Sequence, residues 1–99
     1  MTETGAIVRR VLVDGAVQGV GYREFTRRAA LSLGVSGWVR NRSDGAVEAR
    51  IRGPPTAVKA LVAEMRRGPR FATVNSVSVT EFDETPDDHG RAFVIRVTA

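Results

Sequence analysis

The stretch GAVQGVGYREF, residues 15–25, places three glycines and one arginine directly ahead of a helical pattern. A loop with Gly15, Gly19 and Gly21 can turn successive amide N–H groups inward, and the N-terminus of the following helix adds positive potential there. Arg23 falls in the first turn of that helix, where its guanidinium could grip two oxygens of an anion. The pattern is typical of a phosphate-binding loop, but the glycines would equally suit a tight turn with Arg23 on the surface.

A second candidate is Asn41, within GWVRNRSDGAVE at residues 37–48, at the end of one strand pattern and just before a turn. Its side-chain amide can both donate and accept hydrogen bonds. It could also be an ordinary turn residue bonded to nearby backbone. Neither stretch is a known nucleotide motif, because Gly-Lys-Ser/Thr and the dinucleotide-binding glycine spacing are both missing.

Composition limits the chemistry that these residues could support. The chain has 99 residues, no cysteine and a single histidine, His89. This length predicts one domain, residues 1–99, and the missing cysteine and histidine cluster predicts that the protein uses no metal and no cofactor. The net charge is +4, from 15 basic and 11 acidic residues. That surplus is compatible with nucleic acid, anionic metabolites or acidic membranes and selects none of them.

No secretory or membrane signal is present in the sequence. It has no window of 18 apolar residues, and its start, MTETGAIVRR, has no basic segment followed by a long apolar run. These features predict a cytoplasmic protein with no membrane partner.

Periodicity predicts the elements that position the two candidate sites. Residues 6–13 are rich in β-branched side chains and predict a strand. Apolar residues spaced by three and four, followed by Gly34, predict a helix over 22–33. Two alternating runs around an Asp-Gly pair predict a hairpin with strands at 36–42 and 46–53.

The second half of the chain repeats this order. Pro54 and Pro55 open a second amphipathic helix that closes before Gly68, and alternating strands follow within 71–82 and 92–98, separated by an acidic loop at 83–90. The order is strand, helix, strand, strand, helix, strand, with a short extra C-terminal strand. It predicts a ferredoxin-like α+β sandwich of the βαββαβ type, in which an antiparallel sheet carries both helices on one face.

The two stretches AVQGVGYR (16–23) and GWVRNRSDGAVE (37–48) resemble the acylphosphatase family, and the similarity extends over the whole chain. Tyr22 stands where phenylalanine is more usual, and Arg42 stands where some relatives carry a small hydroxyl residue. The resemblance implies hydrolysis of acyl phosphates, small-molecule mixed anhydrides, to a carboxylate and inorganic phosphate. It also implies that Arg23 and Asn41 are catalytic, Asn41 by orienting the attacking water. The implied phosphate-binding residues are Gln18, Gly19, Val20, Gly21, Tyr22 and Arg23.

Two alternatives remain at this point. One is a domain that binds phosphate or carbamoyl phosphate without catalysis, because acylphosphatase-like domains also occur inside larger proteins. The other is an RNA-binding module, against which the missing aromatic strand signature argues, and Trp38 is expected to pack on the sheet. We therefore expect no nucleic-acid partner, and we expect a monomer.

Overall fold

The computed structural model describes residues 5–82 and 92–98, so the predicted acidic loop at 83–90, with His89, lies outside the described residues. The element order is the predicted one, and it confirms the ferredoxin-like α+β class. The elements are β1 (Ile7–Ala16), α1 (Tyr22–Leu33), β2 (Ser36–Asn41), β3 (Val47–Gly53), α2 (Pro55–Arg67), β4 (Thr73–Phe82) and β5 (Phe93–Ile95).

The sheet has the strand order β4-β1-β3-β2-β5. The four longer strands pair antiparallel as predicted, whereas β5 pairs parallel with β2, so the complete sheet is mixed. Strand direction explains this difference. Phe82 ends β4 opposite Val8, near the start of β1, and Phe93 opens β5 opposite Gly37, near the start of β2. β1 and β2 both run antiparallel to β3, so they run in the same direction and their starts lie at the same end of the sheet. The chain leaves β4 at this end and begins β5 there, so β5 runs parallel to β2 at the edge of the sheet.

Both helices cover the same face of the sheet. Alternate residues of β1 and β3 point to that face, where Val11, Val13 and Ile51 are fully buried. Burial of each such side chain contributes about 1.5–3 kcal/mol to folding. The described residues of the helices and strands share one hydrophobic cluster, to which α1 contributes Ala30 and α2 contributes Leu61 and Met65.

Helix α1 has the predicted bounds because a glycine lies at each end. Gly21 and Gly34 have φ values of 78° and 74°, in the left-handed region that side chains rarely adopt. After the last turn, the amide of Val35 donates to the carbonyl of Ala30 at 2.9 Å, which satisfies a terminal acceptor of the helix.

Strand β1 is longer than the predicted 6–13, and this reassigns Gly15. The strand continues to Ala16, with a bulge between Asp14 and Gly15 where it pairs with β4. Gly15 has a φ of 135°, and a Cβ there would lie 2.1 Å from the carbonyl oxygen of Thr73. Gly15 therefore permits close strand pairing and does not belong to the anion-binding loop.

Candidate active site

One end of the sheet gathers the residues that the sequence singled out. Because β1 and β2 run in the same direction, the segment after β1, the start of α1 and the last residue of β2 meet there. They enclose a small cavity of about 190 Å³, which we call the Arg23 pocket. Its lining residues are Val17, Gly19, Gly21, Tyr22, Arg23, Glu24, Asn41 and Ile95.

Arg23 is half-buried in the first turn of α1 and lines this pocket. No residue within 5–82 and 92–98 accepts a hydrogen bond from its guanidinium or forms an ion pair with it. Other arginines of the chain are held by carboxylates, among them Arg10 and Arg40. The guanidinium of Arg23 therefore has its donors available for a ligand in the pocket.

Asn41 is also half-buried, at the end of β2, and its side-chain amide forms no hydrogen bond with the described part of the chain. The turn that follows is stabilised by another residue. Asp44 accepts a hydrogen bond from the amide of Ala46 at 3.1 Å and two from the guanidinium of Arg42 at 3.0 and 3.1 Å. Asp44 therefore stabilises the turn, and Asn41 lines the Arg23 pocket without a side-chain hydrogen bond to the described part of the chain.

Arg42, the unusual neighbour of Asn41, takes part in this turn. The hydrogen bond with Asp44 raises the pKa of the Arg42 guanidinium and lowers the pKa of the carboxyl. The backbone of Arg42 also closes the hairpin, because its amide donates to the carbonyl of Ala46 at 2.8 Å. Arg42 is thus tied to the hairpin turn directly after Asn41.

Gln18 links the glycine loop to that same turn. Its Nε2 donates to the carbonyl oxygens of Arg42 at 2.8 Å and Ala46 at 2.9 Å. The side chain is therefore committed to the hairpin that carries Asn41, and contact with a phosphate would fall to the backbone of Gln18. The sequence did not indicate this connection, because the partners lie 24 and 28 residues away.

Tyr22 anchors the start of α1 to α2. The ring is 2% exposed, and its hydroxyl donates to the carbonyl oxygen of Met65 at 2.7 Å. Burial raises the pKa of this phenol, so the hydroxyl stays neutral. The partner on α2 explains how a tyrosine is accommodated where phenylalanine is more usual. Val20 is half-buried against the core and does not line the described part of the pocket.

Glu24 is a pocket residue that sequence reasoning missed. Arg27 donates to its carboxylate at 2.9 and 2.6 Å and Arg28 at 3.0 Å, and these hydrogen bonds lower the pKa of Glu24 to about 2. The signal was present as a glutamate followed by arginines three and four residues later on a helix. Two guanidiniums offset its charge, so an anion can approach with less repulsion.

The pocket carries the groups that hold an anion. In the ranges 5–82 and 92–98, no cluster of three or more His, Cys, Asp or Glu residues could hold a metal ion. None of the helices in these ranges is long and apolar enough to cross a membrane. A guanidinium, a carboxamide and a glycine loop leading into a helix N-terminus are the groups that the pocket offers to a phosphoryl group.

Comparison with known proteins gives the family. The acylphosphatase family model matches residues 9–95. An acylphosphatase from Koribacter versatilis is 46% identical over 98 residues, covering 99% of this chain and 86% of its own length. A solved acylphosphatase from Bacillus subtilis superposes with a TM-score of 0.84 at 38% identity, over 91% of this chain and 98% of its own. A second solved acylphosphatase, from Coxiella burnetii, superposes with a TM-score of 0.86 at 32% identity, over 97% of this chain and 98% of its own. The chain therefore belongs to the acylphosphatase family of hydrolases.

Proposed function

We propose that the Arg23 pocket hydrolyses acyl phosphates to a carboxylate and inorganic phosphate. One observation carries the proposal. Arg23 and Asn41 come from different elements and line the same cavity of about 190 Å³, and neither side chain has a hydrogen-bond partner within the described ranges. Half-buried polar groups without protein partners are costly to stability unless solvent or a ligand satisfies them.

Binding of the phosphoryl group would use the glycine loop, the start of α1 and Arg23. Gly19 and Gly21 have φ values of 77° and 78°, and Gly21 caps α1 without a side-chain hydrogen bond. The first amides of α1 therefore have no side-chain acceptor, and they add to the positive potential of the helix N-terminus. The guanidinium of Arg23 would hold two phosphoryl oxygens from the other side.

Hydrolysis needs a water molecule in line with the bond that breaks, and we assign its orientation to Asn41, which lines the pocket. The water oxygen forms the new bond to phosphorus as the bond from phosphorus to the acyl oxygen breaks, so that RCO₂PO₃²⁻ and H₂O give RCO₂⁻ and H₂PO₄⁻. Both protons of the water end on the phosphate. Charge spreads over the equatorial oxygens in such a loose transition state, where Arg23 and the loop amides would stabilise it. A carboxylate is a good leaving group, so the reaction needs no strong general acid.

The test compares an acyl phosphate with a phosphate monoester. We expect the protein to hydrolyse acetyl phosphate and to leave glycerol 3-phosphate, an alkyl phosphate monoester, essentially untouched, because the mechanism provides no acid for an alkoxide leaving group. Arg23→Ala should remove the activity. Arg66→Ala, at an exposed arginine of α2, is the matched control and should retain it.

Two results would contradict this function. Turnover of neither compound, with inorganic phosphate still bound, would indicate a domain that binds phosphate without catalysis. Equal turnover of both would indicate a general phosphatase, for which the described pocket offers no acid.

A further inference from the structure

A second hollow lies beside the Arg23 pocket, on the side of α1 that faces the end of α2. It is an open depression of about 520 Å³ and shares the lining residues Gly21 and Glu24 with the pocket, so the two spaces adjoin at the start of α1. We call it the Phe25 hollow. Its lining residues are Gly21, Glu24, Phe25, Arg28, Ala29 and Pro69.

The surface of the Phe25 hollow is mainly apolar. Phe25, Ala29 and Pro69 are half-buried and present carbon atoms to it, while Arg28 lies at its exposed rim. Two neighbours pack near the ring of Phe25, with the ring centre of Tyr22 at 6.2 Å and the guanidinium of Arg67 at 5.8 Å. An aromatic ring held in this way offers a fixed apolar surface.

The two spaces differ in size in a way that suits two parts of one substrate. Pockets for small organic molecules usually enclose about 300–1,000 Å³ and are lined mostly by apolar and aromatic side chains. The Phe25 hollow, at about 520 Å³, falls in this range. The Arg23 pocket, at about 190 Å³, is smaller and carries the polar groups.

We propose that the Phe25 hollow binds the acyl portion of the substrate and that Phe25 makes the enzyme prefer aromatic or bulky apolar acyl groups to acetyl. The proposal rests on the proposed function, because it places the phosphoryl group over Gly21 and beside Arg23. Asn41 lines the Arg23 pocket and not the hollow. The acyl group and the water that Asn41 would orient would therefore occupy different spaces, which is compatible with in-line displacement.

The experiment measures kcat/KM for benzoyl phosphate and for acetyl phosphate, in the protein and in Phe25→Ala. We expect the protein to favour benzoyl phosphate by about tenfold or more, the scale of discrimination that an apolar pocket gives. Phe25→Ala should lose most of this preference while kcat/KM for acetyl phosphate changes by less than about threefold. Inhibition by inorganic phosphate, which does not reach the hollow, should stay the same.

Leu31→Ala is the matched control, because it removes an apolar side chain from the same helix at a residue that is 48% exposed and lines neither space. Its substrate preference should equal that of the unmodified protein. Ala29→Leu is a second variant that fills the hollow from α1, and it should also lower the preference. It decides the question if Phe25→Ala fails to fold.

The outcomes separate the two proposals. Hydrolysis of both substrates with an unchanged ratio in Phe25→Ala and Ala29→Leu would overturn the acyl site and leave the proposed function standing. An equal loss for both substrates would show that Phe25 only supports the fold. Hydrolysis of neither substrate by the unmodified protein would overturn the proposed function itself.

Discussion

Two arginines on the sheet face away from the helices are paired with a carboxylate, whereas the arginine in the Arg23 pocket is paired with none that the structure describes. On that outer face, Arg10 and Arg40 alternate with the buried residues Val11 and Val39, and both donate to the carboxylate of Glu48, at 2.7 and 2.9 Å. In the pocket, the guanidinium of Arg23 has no such partner within the described ranges. One residue type is thus tied to the protein in the first region and left open to a ligand in the second.

The difference separates stability from function. Glu48 is 6% exposed, and burial alone would raise its pKa, but hydrogen bonds from Arg10 and Arg40 outweigh burial and lower it. Arg10, Arg40 and Glu48 therefore satisfy one another within the protein, and Arg40 also stacks on Trp38 with its guanidinium 4.9 Å from the ring centre. Changes there should affect folding, whereas changes at Arg23 should affect binding and rate.

The largest expected effect is at Arg23. Arg23→Ala should lower kcat/KM for acetyl phosphate by on the order of a thousandfold, the upper range for removal of one preorganised donor group. Thermal unfolding should change little, because no described residue forms a hydrogen bond or an ion pair with this guanidinium. Arg40→Ala is the control from the outer face, and it should lower stability while leaving most of the activity.

Arg23→Lys sharpens the same comparison. A lysine keeps the charge but cannot donate two parallel hydrogen bonds to a phosphoryl group, so it should lose nearly as much activity as alanine. Full activity of the lysine variant would show that a point charge suffices at this position.

The next effect concerns Glu48 on the outer face. Glu48→Gln should reduce the free energy of unfolding by about 2 kcal/mol at neutral pH, with activity nearly unchanged. This loss of stability is smaller than for a fully buried ion pair, because the side chains of Arg10 and Arg40 are 31% and 30% exposed and solvent weakens their attraction to Glu48. Denaturant unfolding monitored beside the rate measures both quantities. A variant of normal stability would show that the pairing contributes nothing.

This difference in stability should depend on pH. The folded-state pKa of Glu48 is below its ordinary value of 4.5, so the unfolded chain binds the proton more readily. The stability that ionised Glu48 contributes is therefore present above about pH 4.5 and is lost as pH falls through the lowered pKa. The gap between the protein and Glu48→Gln should shrink in this acidic range, and a constant gap would contradict the assignment.

Much of this architecture could be predicted from local sequence. Both ends of helix α1 match the prediction, because Gly21 and Gly34 flank its run of regularly spaced apolar residues. The two hairpin strands differ from the prediction by one residue each, at the ends next to the turn, where Asp44 and Gly45 give a strong turn signal. The grouping of Asn41 with Arg23 came from family resemblance, and the fold does bring the two side chains to one cavity.

Other features depend on contacts between distant residues, which no local pattern encodes. Gly15 was placed in the loop, but its close approach to the backbone of Thr73 arises only when β1 pairs with β4. The carboxylate of Glu48 meets Arg10, 38 residues earlier, only across the assembled sheet. The side chain of Gln18 finds its acceptors in the same way, in the turn after β2.

A smaller effect should follow from removal of the hydrogen bonds of Gln18. Gln18→Ala frees the glycine loop from the hairpin that carries Asn41, so kcat should fall by about tenfold, a modest misplacement cost. Binding of inorganic phosphate should weaken less. Gln18→Met keeps the volume without the donors, and it should behave like alanine. Recovery of full activity with methionine would show that packing is the role of Gln18.

The smallest expected effect is none. The described part of the chain offers no cluster of His, Cys, Asp or Glu residues for a metal ion, so dialysis against a strong chelator should leave the rate of acyl phosphate hydrolysis unchanged. The mechanism assigns charge stabilisation to Arg23 and the loop amides. A large loss that Mg²⁺ or Zn²⁺ restores would contradict this assignment.

The most direct test separates binding from catalysis at Asn41. In Asn41→Ala, kcat for acetyl phosphate and the affinity for inorganic phosphate are measured together, with thermal unfolding recorded beside them. We predict a loss of about a hundredfold in kcat with phosphate affinity and stability nearly unchanged, because Asn41 positions the water while Arg23 and the loop hold the phosphoryl group. A variant that melts several degrees lower and turns over at close to the original rate would show that Asn41 only shapes the turn.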